Sequence, residues 1–539
     1  MSLELAPRSP EYVRQAWREA GLGREIALLD LREEDPYAQS HPLFAANLPL
    51  GLIELQAYSR LPRLDVEIVL YGEGAFDAAL VPAAAARLRA LGYVDIAALE
   101  GGLPAWSAGG GELFRDVNVP SKAFGELVEA EVHTPSLPAQ EVQALLDAKA
   151  DLMVLDARRF DEYQTMSIPT GISVPGAELV LRARDLAPDP RTRIIVNCAG
   201  RTRSLIGAQS LINAGLPNPV AALRNGTIGW TLAGQTLEHG QNRRAGPTSD
   251  SGRAQARRAA QDLARRAGAR FLPLAQRDEL KTAQRSLFWL DVRTPEEYRA
   301  GHLAGFSSAP GGQLVQETDH HVAVRGARLV LLDDDGARAA MTASWLTQLG
   351  WEVWVLEGAG PADWNEAGPE QAPLPEFPEV ARVQPELLTD WLAQDGAKTL
   401  VLDLAPSAEH VRQHIPGSWW ALSSALESAL TQVPDHARIA LSCRDGLRSR
   451  FAAAHLAERI QTPVFWLQGG LQAWTAQRRP VEAGDARLAS PRSDRYRRPY
   501  EGTNNPHEAM QSYLDWEFGL VAQLARDGTH GFSVLPPLG

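Results

Sequence analysis

Short apolar runs, each closed by a polar loop, recur along the whole chain. Four of them end in Leu-Asp, at Asp30, Asp156, Asp291 and Asp403. A second set is Ile68-Val69-Leu70-Tyr71, Ile194-Ile195-Val196, Leu329-Val330-Leu331-Leu332 and Ile439-Ala440-Leu441. A third is Val94 to Leu99, Ala221 to Leu223, Val353 to Leu356 and Val464 to Leu467. Such brief, nearly uninterrupted runs predict buried strands of parallel sheets. Longer mixed runs between them, such as Leu205 to Ala214, predict helices. Each unit therefore reads strand, helix, strand, loop, helix, strand, Gly turn, helix.

The units share one register. Two residues after each strand-end Asp come Arg32, Arg158 and Arg293, with Ala405 the exception. Seven residues after lie Tyr37, Tyr163, Tyr298 and His410, and eleven after lie His41, Ser167, His302 and His414. The second loop follows the Asp by 42 residues at Gly72, Cys198 and Asp333, and by 40 at Cys443. A Gly-containing turn then leads to Trp106, Trp230, Trp364 or Trp474. Alternating β and α elements with this period predict an α/β chain of four tandem modules. Each is a parallel sheet flanked by helices on both faces, with its ligand end at the strands' carboxyl termini.

Composition shifts place the expected boundaries. They are 1–117 for module 1, 118–240 for a connector plus module 2, and 241–270 for a linker with a basic helix. Module 3 is 271–372, module 4 is 373–484, and 485–539 is a C-terminal tail. The arginines of Arg253 to Arg270 predict a solvated linker helix rather than a docking helix. The tail's Met510, Tyr513, Leu514, Trp516 and Phe518 predict packing onto a preceding module.

A net charge of −13 argues against a general nucleic-acid binder. No apolar run approaches the ~18–20 residues that span a bilayer, and no signal-like segment opens the chain. Two cysteines in 539 residues give neither a disulfide framework nor a structural zinc site, which points to a reducing cytoplasm.

Those two cysteines carry the candidate chemistry. Cys198-Ala199-Gly200-Arg201-Thr202-Arg203-Ser204 and Cys443-Arg444-Asp445-Gly446-Leu447-Arg448-Ser449 each lie between a β-rich run and a helix start. Loop amides, a helix N-terminus and arginines aimed at a sulfur favour a thiolate and an anionic ligand. Arg201 and Arg203 make the Cys198 loop the more cationic and favour it slightly for an anionic donor, since Asp445 partly offsets Arg444 and Arg448. Module 1 has Gly72-Glu73-Gly74-Ala75-Phe76-Asp77 at this place. Module 3 has Asp333-Asp334-Asp335-Gly336-Ala337-Arg338, whose first carboxylate would fill the anion nest itself. The strand-end aspartates recur in both sulfur-less modules, so pairing with the Arg two residues on is expected rather than acid/base work. His410 and His414 have a helical metal-pair spacing, yet they occupy the Tyr and His positions of the repeat and read as fold-keeping. Trp106, Trp230 and Trp474 read as core.

The pattern resembles the rhodanese family in all four modules. Asp291-Val292-Arg293 with Glu297-Tyr298 and Gly301-His302-Leu303-Ala304-Gly305 matches its opening signature. Cys198 and Cys443 match its active loop, and Gly469-Gly470-Leu471-Gln472-Ala473-Trp474 its closing turn. The resemblance implies Cys198 and Cys443 as persulfide-forming nucleophiles. It implies Gly200, Arg201, Thr202, Arg203, Ser204, Arg444, Gly446, Arg448 and Ser449 as substrate-binding residues. It also implies a small anionic donor such as thiosulfate, a cyanide or thiol acceptor, and no metal or organic cofactor. Both loops are Cys-x4-Arg, one residue shorter than the phosphatase Cys-x5-Arg, and the resemblance ties the shorter loop to sulfur. Two alternatives stay open. One is a persulfide carrier for a biosynthetic or sulfide-oxidation partner, and the other is a non-catalytic multi-module scaffold.

Overall fold

A computed structural model of the protein describes residues 5–72, 79–282, 284–395 and 398–536. Among them the strands form four parallel five-stranded sheets. In the second sheet the strands run across in the order Ser136–Leu137, Val220–Leu223, Arg193–Asn197, Leu152–Asp156, Ile172–Ser173. The other three sheets repeat this order. The three central strands of each sheet are the ones the apolar runs predict. The two edge strands are additional. Those after the first helix have only two residues each (Ala46–Asn47, Ile172–Ser173, Ser307–Ser308 and Trp419–Trp420), too short to carry any periodicity.

The strand-end aspartates are buried and do pair as expected. Arg158 donates to Asp156 from Nε at 2.9 Å and Nη2 at 2.7 Å, and also to the Met166 carbonyl at 2.6 Å. Arg32 and Arg293 make the same fork to Asp30 and Asp291. In module 4, where Ala405 replaces the arginine, His410 Nδ1 takes over at 2.8 Å from Asp403. The histidines also stack at repeat positions: Tyr37 on His41 at 4.0 Å, Tyr298 on His302 at 3.8 Å and His410 on His414 at 3.9 Å. These pairs tie the first strand to the helix after it, and the fold-keeping reading of His410 and His414 stands. Removing one partner of such a buried pair strands the other charge. Arg158→Ala is expected to cost about 3–5 kcal/mol of stability, read as a lower denaturant midpoint, and an unchanged midpoint would refute the structural role.

The Gly turns close the ligand end of each sheet. Gly226 and Gly470 have φ +53° and +56°, and their Cα atoms pack onto the backbone of the preceding cysteine loops. Thr227 N–H donates to the Cys198 carbonyl at 2.9 Å, and Leu471 N–H to the Cys443 carbonyl at 2.8 Å. Each turn thus holds one cysteine loop. Trp106, Trp230 and Trp474 are buried behind these turns.

The modules are not independent beads. One hydrophobic core runs from Leu29 and Ile68 through Leu179 and Val196 to Leu329 and Leu346, joining modules 1, 2 and 3. The basic helix, Asp250–Ala267, contributes Ala256, Ala260, Leu263 and Ala264 to it. The expected solvated linker is thus solvated only on its arginine face. Its small-residue face lets it approach the helices Leu179–Leu186 and Arg338–Gln348 closely. The tail helix His507–Phe518 packs Met510, Tyr513 and Leu514 around Ile228 of module 2, as its aromatics predict. Among the described residues no helix is long and apolar enough to cross a membrane.

Candidate active site

Cys443 follows the strand Arg438–Ser442, whose apolar residues are buried in the sheet, and precedes the helix Leu447–Ala457. Gly446, at φ +89°, makes the bend between them, a conformation that other residues adopt at a cost. The bend folds the loop round the sulfur. Ser449 N–H donates to Cys443 Sγ at 3.4 Å, and the Ser449 hydroxyl lies 3.5 Å away. Ser449 also donates to the Gly446 carbonyl at 3.1 Å, which fixes its rotamer. Arg444 is 66% exposed on its side chain, 3.6 Å from Glu409, and Asp445 is exposed beside it. Arg448 donates to the Leu404 carbonyl at 2.9 Å. It also lines a cleft of about 1130 Å³ between modules 1, 3 and 4, together with Leu404, Trp420, Glu33 and Asp494. Modules 1 and 3, which have no sulfur at this loop position, thereby form walls of the cleft that Arg448 borders.

Cys198 sits in the equivalent place, after Arg193–Asn197 and before Thr202–Asn213. Its thiol points to the Ser204 hydroxyl at 3.4 Å, and Ser204 donates to the Arg201 carbonyl at 2.8 Å. Here the surroundings depart from expectation. Both loop arginines are already spent on carboxylates. Arg201 forks onto Glu126 at 2.7 and 2.9 Å and also pairs with Glu129, both on the connector helix Val119–Val132. Arg203 forks onto Glu162 at 2.7 and 2.8 Å. Burial alone would raise the Glu162 carboxyl, but Arg203 holds it down to about 2. Thr202 is buried under Gly125 of the connector, where a side chain would press on its methyl at 3.0 Å. Gly200 lies under the tail helix, with Tyr513 and Glu517 within 3.4 Å of where a Cβ would stand. The greater positive charge read from Arg201 and Arg203 is therefore cancelled in the folded chain.

Neither thiol is held below the ordinary cysteine range. Burial pushes Cys198 up, partly offset by the charge of Arg203 and the bonds of Ser204. Burial likewise pushes Cys443 up against the bonds of Ser449. Burial thus works against the thiolate that the loop amides favour at both sulfurs.

In module 3 the carboxylate at the sulfur's place does fill the nest. Asp333 accepts from Gly336 N–H at 2.9 Å and Ala339 N–H at 2.8 Å, and burial beside Asp335 raises its carboxyl. Arg338 is locked to Asp335, Asp334 and Glu297. The loop of module 1 from Glu73 to Asp77 lies outside the described residues. Among the described residues no cluster of His, Cys, Asp and Glu has the makings of a metal site.

Four repeats, each a parallel sheet with the same strand order, match a known architecture. A profile of the rhodanese-like domain fits residues 12–109, 138–233, 275–367 and 384–477. The chain belongs to the rhodanese family. The crystal structure of thiosulfate sulfurtransferase from Pseudomonas aeruginosa is 61% identical to it, with TM-score 0.96, over 98% of this chain and 100% of that one. A rhodanese-like domain protein from Staphylococcus aureus is 17% identical over 18% of this chain and 91% of its own, with a TM-score of 0.16. No curated protein matches the chain.

Sequence reasoning missed the carboxylates that face the rhodanese loops. One signal was present. Glu162 and Glu297 precede the repeat tyrosines, and each lies 41 residues before the arginine it pairs with, Arg203 or Arg338. In module 4 the equivalent Glu409 turns instead to Arg444, which leaves Arg448 to the cleft. Glu126, Glu129 and Glu517 come from segments outside the repeat, where no register pointed to them.

Proposed function

We propose that the chain is a thiosulfate sulfurtransferase working through a cysteine persulfide, with Cys443 the principal nucleophile and Cys198 a second persulfide site. The observation that carries this is the Cys443 loop, where a sulfur accepts a backbone N–H and Arg448 opens onto a large cleft. The similarity to the thiosulfate sulfurtransferase of Pseudomonas aeruginosa, which covers nearly all of both chains, supports it.

The Cys443 thiolate attacks the outer sulfur of thiosulfate. The S–S bond of the donor breaks, sulfite leaves with the electron pair, and a Cys443 persulfide forms. Arg448, Arg444 and the loop amides offset the charge of donor and persulfide. Cyanide or a cellular thiol then attacks the outer sulfur, leaves as thiocyanate or as a new persulfide, and restores the thiolate. Electrons balance without an external redox partner, so the reaction calls for no metal or organic cofactor. The sulfur-less modules 1 and 3 act as partners that frame the loops. Two free cysteines suit a reducing cytoplasm.

Sulfite release across a panel of donors tests the reading, and a chain that releases none from thiosulfate sinks it. The raised thiols add a pH prediction. Because burial holds both above the usual cysteine range, the thiolate fraction grows with pH through the alkaline side. Single-turnover sulfite release is expected to rise severalfold between roughly pH 6 and 9, and a flat profile would show that the thiolate is already fully formed.

A further inference from the structure

The connector and the tail are outside the four repeats, yet both converge on one cysteine loop. The connector helix delivers Glu126 and Glu129 to Arg201, and module 2's own Glu162 takes Arg203. The tail helix delivers Glu517, which is fully buried. Its Oε1 accepts from the Tyr513 hydroxyl at 2.7 Å, while its Oε2 is buried with no hydrogen-bond partner and lies against Gly200. The tail is held in place by Lys122, buried 2.7 Å from Asp116, with the rings of Tyr500, Tyr513 and Trp516 at 5.4, 5.2 and 5.7 Å. Lys122 and Asp116 cancel one another. Four carboxylates, Glu126 and Glu517 buried and Glu129 and Glu162 partly exposed, thus face the two guanidiniums of the Cys198 loop, where charges are less screened than in bulk solvent. Burial beside Glu126 raises Glu517 to about 8, and with Glu517 protonated the carboxylates still outnumber the arginines. At Cys443 the loop charges of Arg444 and Asp445 are exposed and screened.

We propose that this carboxylate collar, closed by Glu517 of the C-terminal helix, bars anionic donors from Cys198, so that thiosulfate charges Cys443 while Cys198 accepts sulfur from an uncharged or cationic persulfide. The inference rests on the sulfurtransferase reading and divides it between the two loops. At Cys198 the thiolate attacks the outer sulfur of the donor persulfide. The donor's S–S bond breaks, its thiolate leaves with the electron pair, and the proton stays on the transferred sulfur. The paired Glu126, Glu129 and Glu162 supply the excluding charge at neutral pH, and Glu517 acts as a specificity-determining residue that covers Gly200 and adds charge once ionised.

Alkylation of single-cysteine chains tests this independently of turnover. In the Cys443→Ser chain, Cys198 is expected to react with neutral iodoacetamide but with anionic iodoacetate at a relative rate about tenfold lower than Cys443 shows in the Cys198→Ser chain. Glu129→Gln at the rim is expected to raise the iodoacetate rate at Cys198 and leave the iodoacetamide rate in place, and Glu517→Gln to do the same only where Glu517 is ionised, above about pH 8. The persulfide of cysteamine, whose ammonium offsets its perthiolate, is expected to sulfurate Cys198, and thiosulfate to sulfurate Cys443 alone. Equal reagent ratios at the two cysteines, thiosulfate sulfurating both at one rate, or a Cys198 inert to neutral reagents would each overturn the proposal. If thiosulfate sulfurates neither cysteine while the alkylation contrast persists, the collar stands and the donor assignment falls.

Discussion

Cys443→Ser is expected to lower thiosulfate:cyanide turnover on the order of a thousandfold or more, because the hydroxyl that replaces the thiol cannot carry a sulfane sulfur. Cys198→Ser is expected to leave most of that turnover in place. The asymmetry follows from what covers each loop. Arg448 borders the cleft of about 1130 Å³, whereas Arg203, on a smaller cleft of about 400 Å³, and Arg201 are each forked onto carboxylates. Steady-state sulfite release from the two single variants and the double variant checks this. Turnover surviving in the double variant would refute the persulfide mechanism, and a larger loss from Cys198→Ser than from Cys443→Ser would reverse the assignment of roles.

Gly470→Ala is expected to damage stability and activity together. A Cβ on Gly470 would overlap the Cys443 carbonyl and come within 2.7 Å of Gly446 N and 2.9 Å of the Arg444 carbonyl carbon. These are backbone atoms with no side-chain freedom to yield, and φ +56° adds a left-handed penalty. The cost is expected at about 2–4 kcal/mol. Any relief must come from moving the loop that aims Ser449 N–H at the sulfur. A midpoint shift in denaturant together with a fall in kcat is the expected result. Gly484→Ala is the comparison outside the loops, since its φ of +122° is also positive but nothing lies within 4 Å of its Cβ position. Wild-type kcat in Gly470→Ala would show that the loop does not depend on the turn.

Much of the fold was legible because its determinants are local or strictly repeated. The forks of Arg32, Arg158 and Arg293 join residues two apart, and the Tyr–His stacks join residues four apart, so their spacing survives in the bare sequence. The central strands were visible as apolar runs, while two-residue edge strands such as Ile172–Ser173 have no room for a pattern. The cysteine loops were legible for the same reason as the strands, by register. Their charge was not. It depends on Glu126 and Glu129, 75 and 72 residues before Arg201, and on Glu517, more than 300 residues after Gly200. A loop's electrostatics are set by everything that packs on it, and a reading confined to the loop's own residues left out the carboxylates that offset Arg201 and Arg203. The basic helix shows the same limit, since its arginines are conspicuous while Ala256 and Ala260 reveal a packing face only when modules 2 and 3 close on it.

The central claim is that sulfur passes through the chain as a cysteine persulfide. Peptide-level mass spectrometry after thiosulfate treatment, with and without a following exposure to cyanide, tests it most directly. One added sulfur on the Cys443 peptide, removed by cyanide with release of thiocyanate, is the predicted result. Turnover proceeding while neither Cys443 nor Cys198 ever gains a sulfur would contradict it.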